Sequence, residues 1–304
     1  MTRQPLVAKR AEELLAASVV STAPVAGGDI ATATRLRLSS GQMALMKTLA
    51  HAPDGFFEAE AAGLAWLAEA EAEGGVRTAR VLAVRPGMIE LEEIAETRPT
   101  PEVADAFGAA LARTHASGAA AFGAPPHGYT GPTFIGRRPL TTARQTRWGR
   151  FYARDRVLPY LAEAVKAGTV DEREQRVIRA ACDRIADGDF DDSEPPARLH
   201  GDLWNGNVLW GADGAVLIDP AAHGGHRETD LAMLALFGCP FLERVLAAYD
   251  RGAAELGAPL REGWRDRVPV HQLHPLAVHA AGHGRSYGVA LAEAAERTLE
   301  LSIT

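Results

Sequence analysis

With 304 residues, 47% of them hydrophobic and 23% charged, the chain has the make-up of a soluble globular protein long enough for two lobes and a large core. Its net charge of −7 argues against a nucleic-acid partner, which would call for a basic footprint, while leaving room for a local basic pocket. Cys182 and Cys239 share no metal-ligand spacing, and no stretch approaches the roughly 18 apolar residues of a membrane span, so a disulfide framework, a zinc site and a membrane partner are not expected.

The N-terminus carries Arg3, Lys9, Arg10, Glu12 and Glu13 without a continuous apolar run. It is not a signal peptide, and a cytoplasmic, reducing location follows. Residues 5–17 read as a short amphipathic helix. Residues 19–49 alternate and are broken at Gly27-Gly28-Asp29 and Ser39-Ser40-Gly41, which gives three short antiparallel strands. Lysine is rare in this chain, limited to Lys9, Lys47 and Lys166, so Lys47 near the end of the apolar strand Met43-Ala44-Leu45-Met46 needs a reason to be there. Phe57, Ala61, Leu64 and Leu67 recur at helical spacing up to Gly74-Gly75. Two further strands flank the turn at Pro86-Gly87. The expected fold class is α+β, with a small antiparallel sheet lobe over residues 1–92 that holds one inserted helix, and a larger, mostly helical lobe over 93–304.

From Thr100 onward helices dominate. Thr100-Pro101-Glu102 opens one that runs to Ser117. Residues 119–146, rich in Gly, Pro and Thr, read as an ordered surface loop. Helices follow over 148–167 and 171–186, then 230–237, 241–257 and 270–299. His279 and His283 lie four apart, a spacing that suits a metal, but no Glu accompanies them and Gly282 and Gly284 interrupt the helix. A metal is not expected there.

An island of loop and short strand inside this helical region carries the chemistry. In His200-Gly201-Asp202-Leu203-Trp204-Asn205-Gly206-Asn207, an aspartate precedes an asparagine by five residues, and Asp219 follows at the end of the apolar run Ala215-Val216-Leu217-Ile218. Phosphoryl transfer needs this set, and the protein-kinase catalytic loop has the same Asp-to-Asn spacing. Asp202 is the expected catalytic base, orienting the acceptor hydroxyl and taking its proton late. Asn207 and Asp219 are the expected Mg²⁺ ligands, both offering hard oxygen donors. Lys47 would bridge nucleotide phosphates and needs a carboxylate from the next helix. Glu58 and Glu60 are both available, and Glu60 shares a face with Leu64 and Leu67. Gly27 and Gly28 sit in a turn whose amides could approach phosphate. His200 is expected to pack beneath the loop, and Asp230 to cap a helix start and hold the catalytic-loop backbone.

These residues resemble the fructosamine (ketosamine-3-) kinase family, part of the aminoglycoside phosphotransferase and choline kinase group with the protein-kinase-like fold. The resemblance runs through His200 to Asn207, Asp219-Pro220-Ala221, the run from Gly225 to Met233, and Leu236-Phe237-Gly238. Upstream it includes Gly27-Gly28-Asp29-Ile30, Lys47, Glu60, and Trp148 to Pro159, and it spans about residues 15–290. It implies ATP-dependent, Mg²⁺-assisted phosphorylation of the 3-hydroxyl of a ketosamine, free or protein-bound, which makes the adduct labile and releases the amine. It also implies that the backbone of Glu92, Glu93 and Ile94 receives the adenine. On the acceptor side stand Trp204, whose flat face either stacks on a sugar or packs between lobes, together with His226 and Arg227. Some relatives carry a phosphate-loop cysteine that forms a redox-sensitive dimer; this loop has none, so that control is not carried over.

A phosphotransferase for an aminoglycoside or another amino-alcohol would need a dense acidic acceptor patch. The segment after Asp219 offers instead the mixed set His223, His226, Arg227, Glu228 and Asp230, which places the ketosamine reading first. A nucleotide-binding pseudoenzyme is disfavoured by the joint presence of Lys47, Asp202, Asn207 and Asp219.

Overall fold

The computed structural model describes residues 4–15, 17–25 and 30–302. Helix α1 (Gln4–Leu15) leads into β1 (Val19–Val25), β2 (Thr32–Leu38) and β3 (Met43–Thr48). Helix α2 (Phe56–Ala68) and a 3₁₀ turn follow, then β4 (Arg77–Thr78), β5 (Val81–Arg85) and β6 (Met88–Glu92). The expected five-stranded sheet forms, in the order β1-β2-β3-β6-β5 and antiparallel throughout. Gly27 and Gly28, assigned to the phosphate turn, lie outside the described residues.

Period-two alternation sorts the two faces of this sheet. Ala44 and Met46 pack with Leu36, Leu38 and Ala11 of α1. The register Leu45↔Leu91 and Lys47↔Ile89 sets the opposite face, where Ile89 and Leu91 meet Phe57 and Leu64 of α2. Lys47 therefore emerges on the side of the sheet that α2 covers.

The remainder is mostly helical. It comprises α3 (Pro101–Ala116), the hairpin β7 (Thr133–Ile135) and β8 (Arg138–Leu140), α4 (Trp148–Phe151), a π-helical stretch over Tyr152–Val157, α5 (Leu158–Lys166) and α6 (Glu172–Asp187). Then come β9 (Ala197–Leu199), β10 (Val208–Gly211), β11 (Gly214–Leu217), β12 (His223–Gly225), α7 (Arg227–Phe237), α8 (Leu242–Glu255), α9 (Val268–Ala280) and α10 (Arg285–Glu300). Phe107, Leu231 and Tyr249 join α3, α7 and α8 to the β10–β11 hairpin in one core, while α4, α5, α6, α9 and α10 share another. No helix among the described residues is long and apolar enough to cross a membrane.

Three details depart from expectation. The segment 119–146 holds the β7–β8 hairpin, whose three-residue strands are too short for alternation to register. The helix expected over 148–167 contains the π stretch, because Pro159 has no N–H to offer the Asp155 carbonyl, which accepts from Arg156 Nη1 at 3.0 Å instead. The helix expected over 270–299 is two, since Gly284 at φ 104° turns the chain between α9 and α10.

Arg198 of β9 fastens α2 to the strand that enters the loop bearing Asp202. Its guanidinium donates to the Trp66 carbonyl, pairs with Glu69 at 2.9 Å and lies 4.6 Å over the Trp66 ring. Arg198→Ala is expected to lower stability by about 2–3 kcal/mol, since a charged hydrogen bond and a cation–π contact are lost together. Arg198→Lys should recover only part of this, and urea unfolding of the two variants measures both effects.

Candidate active site

Two strand pairings bring the loop residues together. β12 pairs with β9, His223 opposite Leu199, so His200-Gly201-Asp202 runs alongside Ala221. The approach is close enough that a Cβ on Gly201, at φ 82°, would stand 2.2 Å from the Ala221 carbonyl oxygen. Glycine is required there. The β10–β11 hairpin, with Val208 opposite Leu217, returns the chain so that Asn207 before it and Asp219 after it share one end, and Ile218 N donates to Asn207 O at 3.1 Å.

Asp230 fixes the loop from below. Its carboxylate accepts from His200 N at 2.8 Å and Gly201 N at 3.0 Å, and meets His115 Nε2 at 3.2 Å; His115 in turn contacts Tyr249 Oη at 2.8 Å. Burial alone would raise this carboxyl, but His115 and the loop amide hold it below the usual carboxylate range. The helix cap belongs to another residue: α7 begins at Arg227, and the His226 ring accepts from Glu228 N at 3.2 Å. His200 lies under the loop as expected. Its Nδ1 accepts from Asp202 N at 3.2 Å, so Nε2 carries the proton that it donates to Ile218 O at 2.9 Å, and burial lowers its pKa. One neutral imidazole thus ties the Asp202 segment to the segment that ends in Asp219.

Lys47 spans the gap between the sheet and the helical part. Its Nζ pairs with Glu60 Oε1 at 2.7 Å and with Asp219. Burial pulls the Lys47 pKa down, yet the two carboxylates more than offset this and leave it well above its ordinary value. Burial pushes Glu60 up to about 7 against the pull of the ammonium, whereas at Asp219, whose side chain is 43% exposed, Lys47 outweighs desolvation and holds the carboxyl below its ordinary value. Asp219 adopts φ 53°, a left-handed conformation that costs a non-glycine residue energy and commonly marks a functional position.

Asp202 and Asn207 form the second half of the site. Asn207 Nδ2 donates to Asp202 O at 2.8 Å and to Asp202 Oδ2 at 3.1 Å, leaving the amide oxygen free to act as a ligand. That oxygen and the Asp219 carboxylate are hard donors of the kind a Mg²⁺–nucleotide complex takes, so the residues present fit such an ion. Burial drives the Asp202 carboxyl up to about 7; the Asn207 amide opposes the shift, and Asp219 and Asp230 add to it. Beside it Trp204 is 40% exposed, and its ring lies over Gly206, where a Cβ would come within 2.2 Å of it.

His226 and Arg227, expected on the acceptor side, do not face an acceptor. Both are buried: His226 Nε2 is 3.2 Å from Asp192, and Arg227 grips Glu194 through Nε at 2.7 Å while donating to the carbonyls of Ala258 and Pro259. His223, Glu228 and Asp230 are buried as well, so the mixed set after Asp219 says nothing about acceptor preference and does not favour a ketosamine over an aminoglycoside. Among the residues expected at the adenine, Glu92 spends its amide on Arg80 O at 2.9 Å and its carboxylate on Arg77 at 2.7 Å, and Glu93 pairs with Arg35 through its side chain, which leaves the backbone of Glu93 and Ile94 as the better placed. His115 and Arg198 were missed, because each lies in a segment whose pattern signals only a helix or a strand.

A family model described as fructosamine kinase matches residues 4–301. The probable ketoamine kinase of Lactiplantibacillus plantarum is 34% identical over 279 residues, covering 88% of this chain and 90% of its own. The crystal structure of a Thermobifida fusca protein proposed to be a fructosamine-3-kinase superposes with a TM-score of 0.88 at 43% identity, over 97% of this chain and 99% of that one. The aminoglycoside phosphotransferase APH(4)-Ia, in a ternary complex with ADP and hygromycin B, shares the fold at a TM-score of 0.60 and 15% identity, over 97% of this chain and 99% of that one.

A carboxyl with a pKa of about 7 accepts a proton only once it is ionised. Phosphorylation kcat/KM is therefore expected to climb about tenfold per pH unit up to about 7 and to level off above it. A profile already flat from pH 5 would contradict the role given to Asp202.

Proposed function

The chain belongs to the fructosamine kinase family, and we propose that it transfers the terminal phosphoryl group of ATP to the 3-hydroxyl of a ketosamine, free or protein-bound. The 3-phosphate makes the sugar–amine adduct labile, so the amine is released and the activity serves deglycation or amine–sugar metabolism in the cytoplasm. The observation that carries this reading is the junction of Asp202 and Asn207 with the Lys47–Glu60–Asp219 cluster in a chain matched by the family model from residue 4 to residue 301.

In this reading the sheet and α2, ending near residue 92, serve the nucleotide, and the rest serves the acceptor. Lys47, held by Glu60, meets the phosphates, and the backbone of Glu93 and Ile94 completes the nucleotide site. Asn207 Oδ1 and Asp219 would hold Mg²⁺, which when bound neutralises charge gathering on the transferred phosphoryl group. Asp202 accepts the hydrogen of the attacking hydroxyl, fixes its direction, and takes the proton late in the transfer. Trp204 offers its open face to the sugar.

ATP turnover on a panel of fructosyl- and ribulosyl-amines set against aminoglycosides tests the reading. Ketosamines are expected to be phosphorylated and aminoglycosides not; the opposite ranking overturns it. Asp202→Asn should cut kcat by about three orders of magnitude or more while ATP still binds. Lys47→Ala should weaken ATP binding and turnover together, and wild-type values for both would remove Lys47 from the site.

A further inference from the structure

Glycine is a poor choice for the middle of a helix, because it gives up the most conformational freedom on folding and has no side chain to pack. Gly63 nevertheless sits buried in the interior of α2. Neither a turn nor a left-handed backbone calls for it. Close contact does: a Cβ there would stand 3.1 Å from Pro220 Cγ and 3.2 Å from Ala222 Cβ. Neither neighbour can swing aside, since one belongs to a ring closed on the backbone and the other is bonded directly to it. Helix α2 therefore rests on the segment that follows Asp219 with no side chain of its own in between.

The contact continues along the helix. By helical spacing Glu60, Gly63, Trp66 and Leu67 share one side of α2, distinct from Phe57 and Leu64, which face the sheet. Trp66 and Leu67 pack with Ala222, and Arg198 of β9 takes the Trp66 carbonyl and Glu69. At the other end of this side, Glu60 Oε1 receives Lys47 Nζ at 2.7 Å, and the same ammonium pairs with Asp219. Gly63 thus lies between the anchored part of the helix and its carboxylate, against the residue that follows Asp219. How closely α2 approaches Pro220 sets the separation of the two carboxylates that share Lys47. Asp219 has little freedom to compensate, because it is held at φ 53° ahead of a proline, which itself restricts the residue before it.

We infer that Gly63 is a positioning residue for phosphoryl transfer: its missing side chain seats α2 directly on Pro220, and so fixes the distance between Glu60 and Asp219 and the place of the Lys47 ammonium between them. It touches no substrate and acts through these two carboxylates. A methyl group at position 63 would wedge the helix and the segment apart by a few tenths of an ångström. Glu60 then draws away from Asp219, and Lys47 is displaced from the point where nucleotide phosphates would meet it. Helix formation gains from the same change, because alanine outranks glycine. Function and stability therefore part ways, which a residue that only fills space would not show. The inference rests on the nucleotide-binding part of the reading given under Proposed function.

Calorimetric titration of the full chain with MgADP tests this without an acceptor, and steady-state kinetics with ATP and a fructosylamine complement it. Gly63→Ala is expected to raise the dissociation constant for MgADP about fivefold and to lower kcat about tenfold. The KM for the fructosylamine should stay within about twofold of wild type, and the urea midpoint should be equal or higher. In a Pro220→Ala background, where the nearest contact is gone, the same change should weaken MgADP binding by less than about twofold. Unchanged binding in Gly63→Ala overturns the proposal, and so does an equal loss in both backgrounds. A fallen urea midpoint, or a variant that no longer folds, also overturns it, because Gly63 would then be a packing residue alone. Failure of the wild type to bind MgADP sinks the nucleotide reading itself. Wild-type binding with no penalty in Gly63→Ala sinks only the positioning role.

Discussion

One ammonium group joins the two parts of this molecule at the place where chemistry is expected. Lys47 comes from the third strand of the sheet, Glu60 from the helix behind it, and Asp219 from the far side of the cleft. Holding Lys47 and Glu60 largely out of water is expensive, and apolar side chains of similar volume would often serve stability as well or better. The cluster therefore makes most sense as a pre-set binding device. One carboxylate holds the lysine against its own sheet, and the other offers it a partner that a phosphate can share or replace. The left-handed backbone at Asp219 agrees with this, since strain at that position is sustained by the hairpin before it and the close-packed Pro220 and Ala221 after it.

Around that device the buried polar groups satisfy one another in a fixed order. Asp230 collects two loop amides and a histidine, and His200 hands the Asp202 amide on to the Ile218 carbonyl. Asn207 closes the loop onto Asp202. His226 with Glu228 and His271, and again with Asp192 and Glu194, has the proximity of a metal-ligand set. Arginines already occupy these carboxylates, however: Arg267 on Glu228, Arg227 on Glu194 and Arg261 on Asp192. Charge there is balanced within the protein, and the cluster serves to anchor the start of α7 and the segment leading into β9.

The architecture was legible where a single period or spacing determines it. Alternation found the first three strands, the turn at Pro86-Gly87 marked the next two, and helical spacing with Glu60 on the Leu64 face found the lysine's partner. Residues that act through distant contacts were less visible. Asp230 could be tied to the catalytic backbone, but its supposed capping role fell to His226, because helix starts are set by backbone geometry that sequence locates only to within a few residues. His226 and Arg227 were expected on the acceptor side, within the run that carries the family resemblance. Their burial depends on Asp192, Glu194 and two carbonyls far along the chain, which no local pattern announces.

The two aspartates of the catalytic region show how one fold assigns opposite duties to the same side chain. Asp230 is buried and Asp202 partly so, and loss of water by itself raises a carboxyl pKa. Asp230 is surrounded by donors, two amides and an imidazole, and stays ionised as scaffold. Asp202 has a single side-chain donor, Asn207, and feels the negative charge of both Asp219 and Asp230, so its pKa is pushed up to about 7. A carboxylate in that range is a far better proton acceptor near neutrality than an unperturbed one with a pKa near ~4. Environments that drive equivalent groups apart are a signature of assigned acid–base roles. Here the difference between the two traces to the backbone: the turn at Gly201 aims two amides at Asp230 and leaves Asp202 facing the cleft beside Trp204.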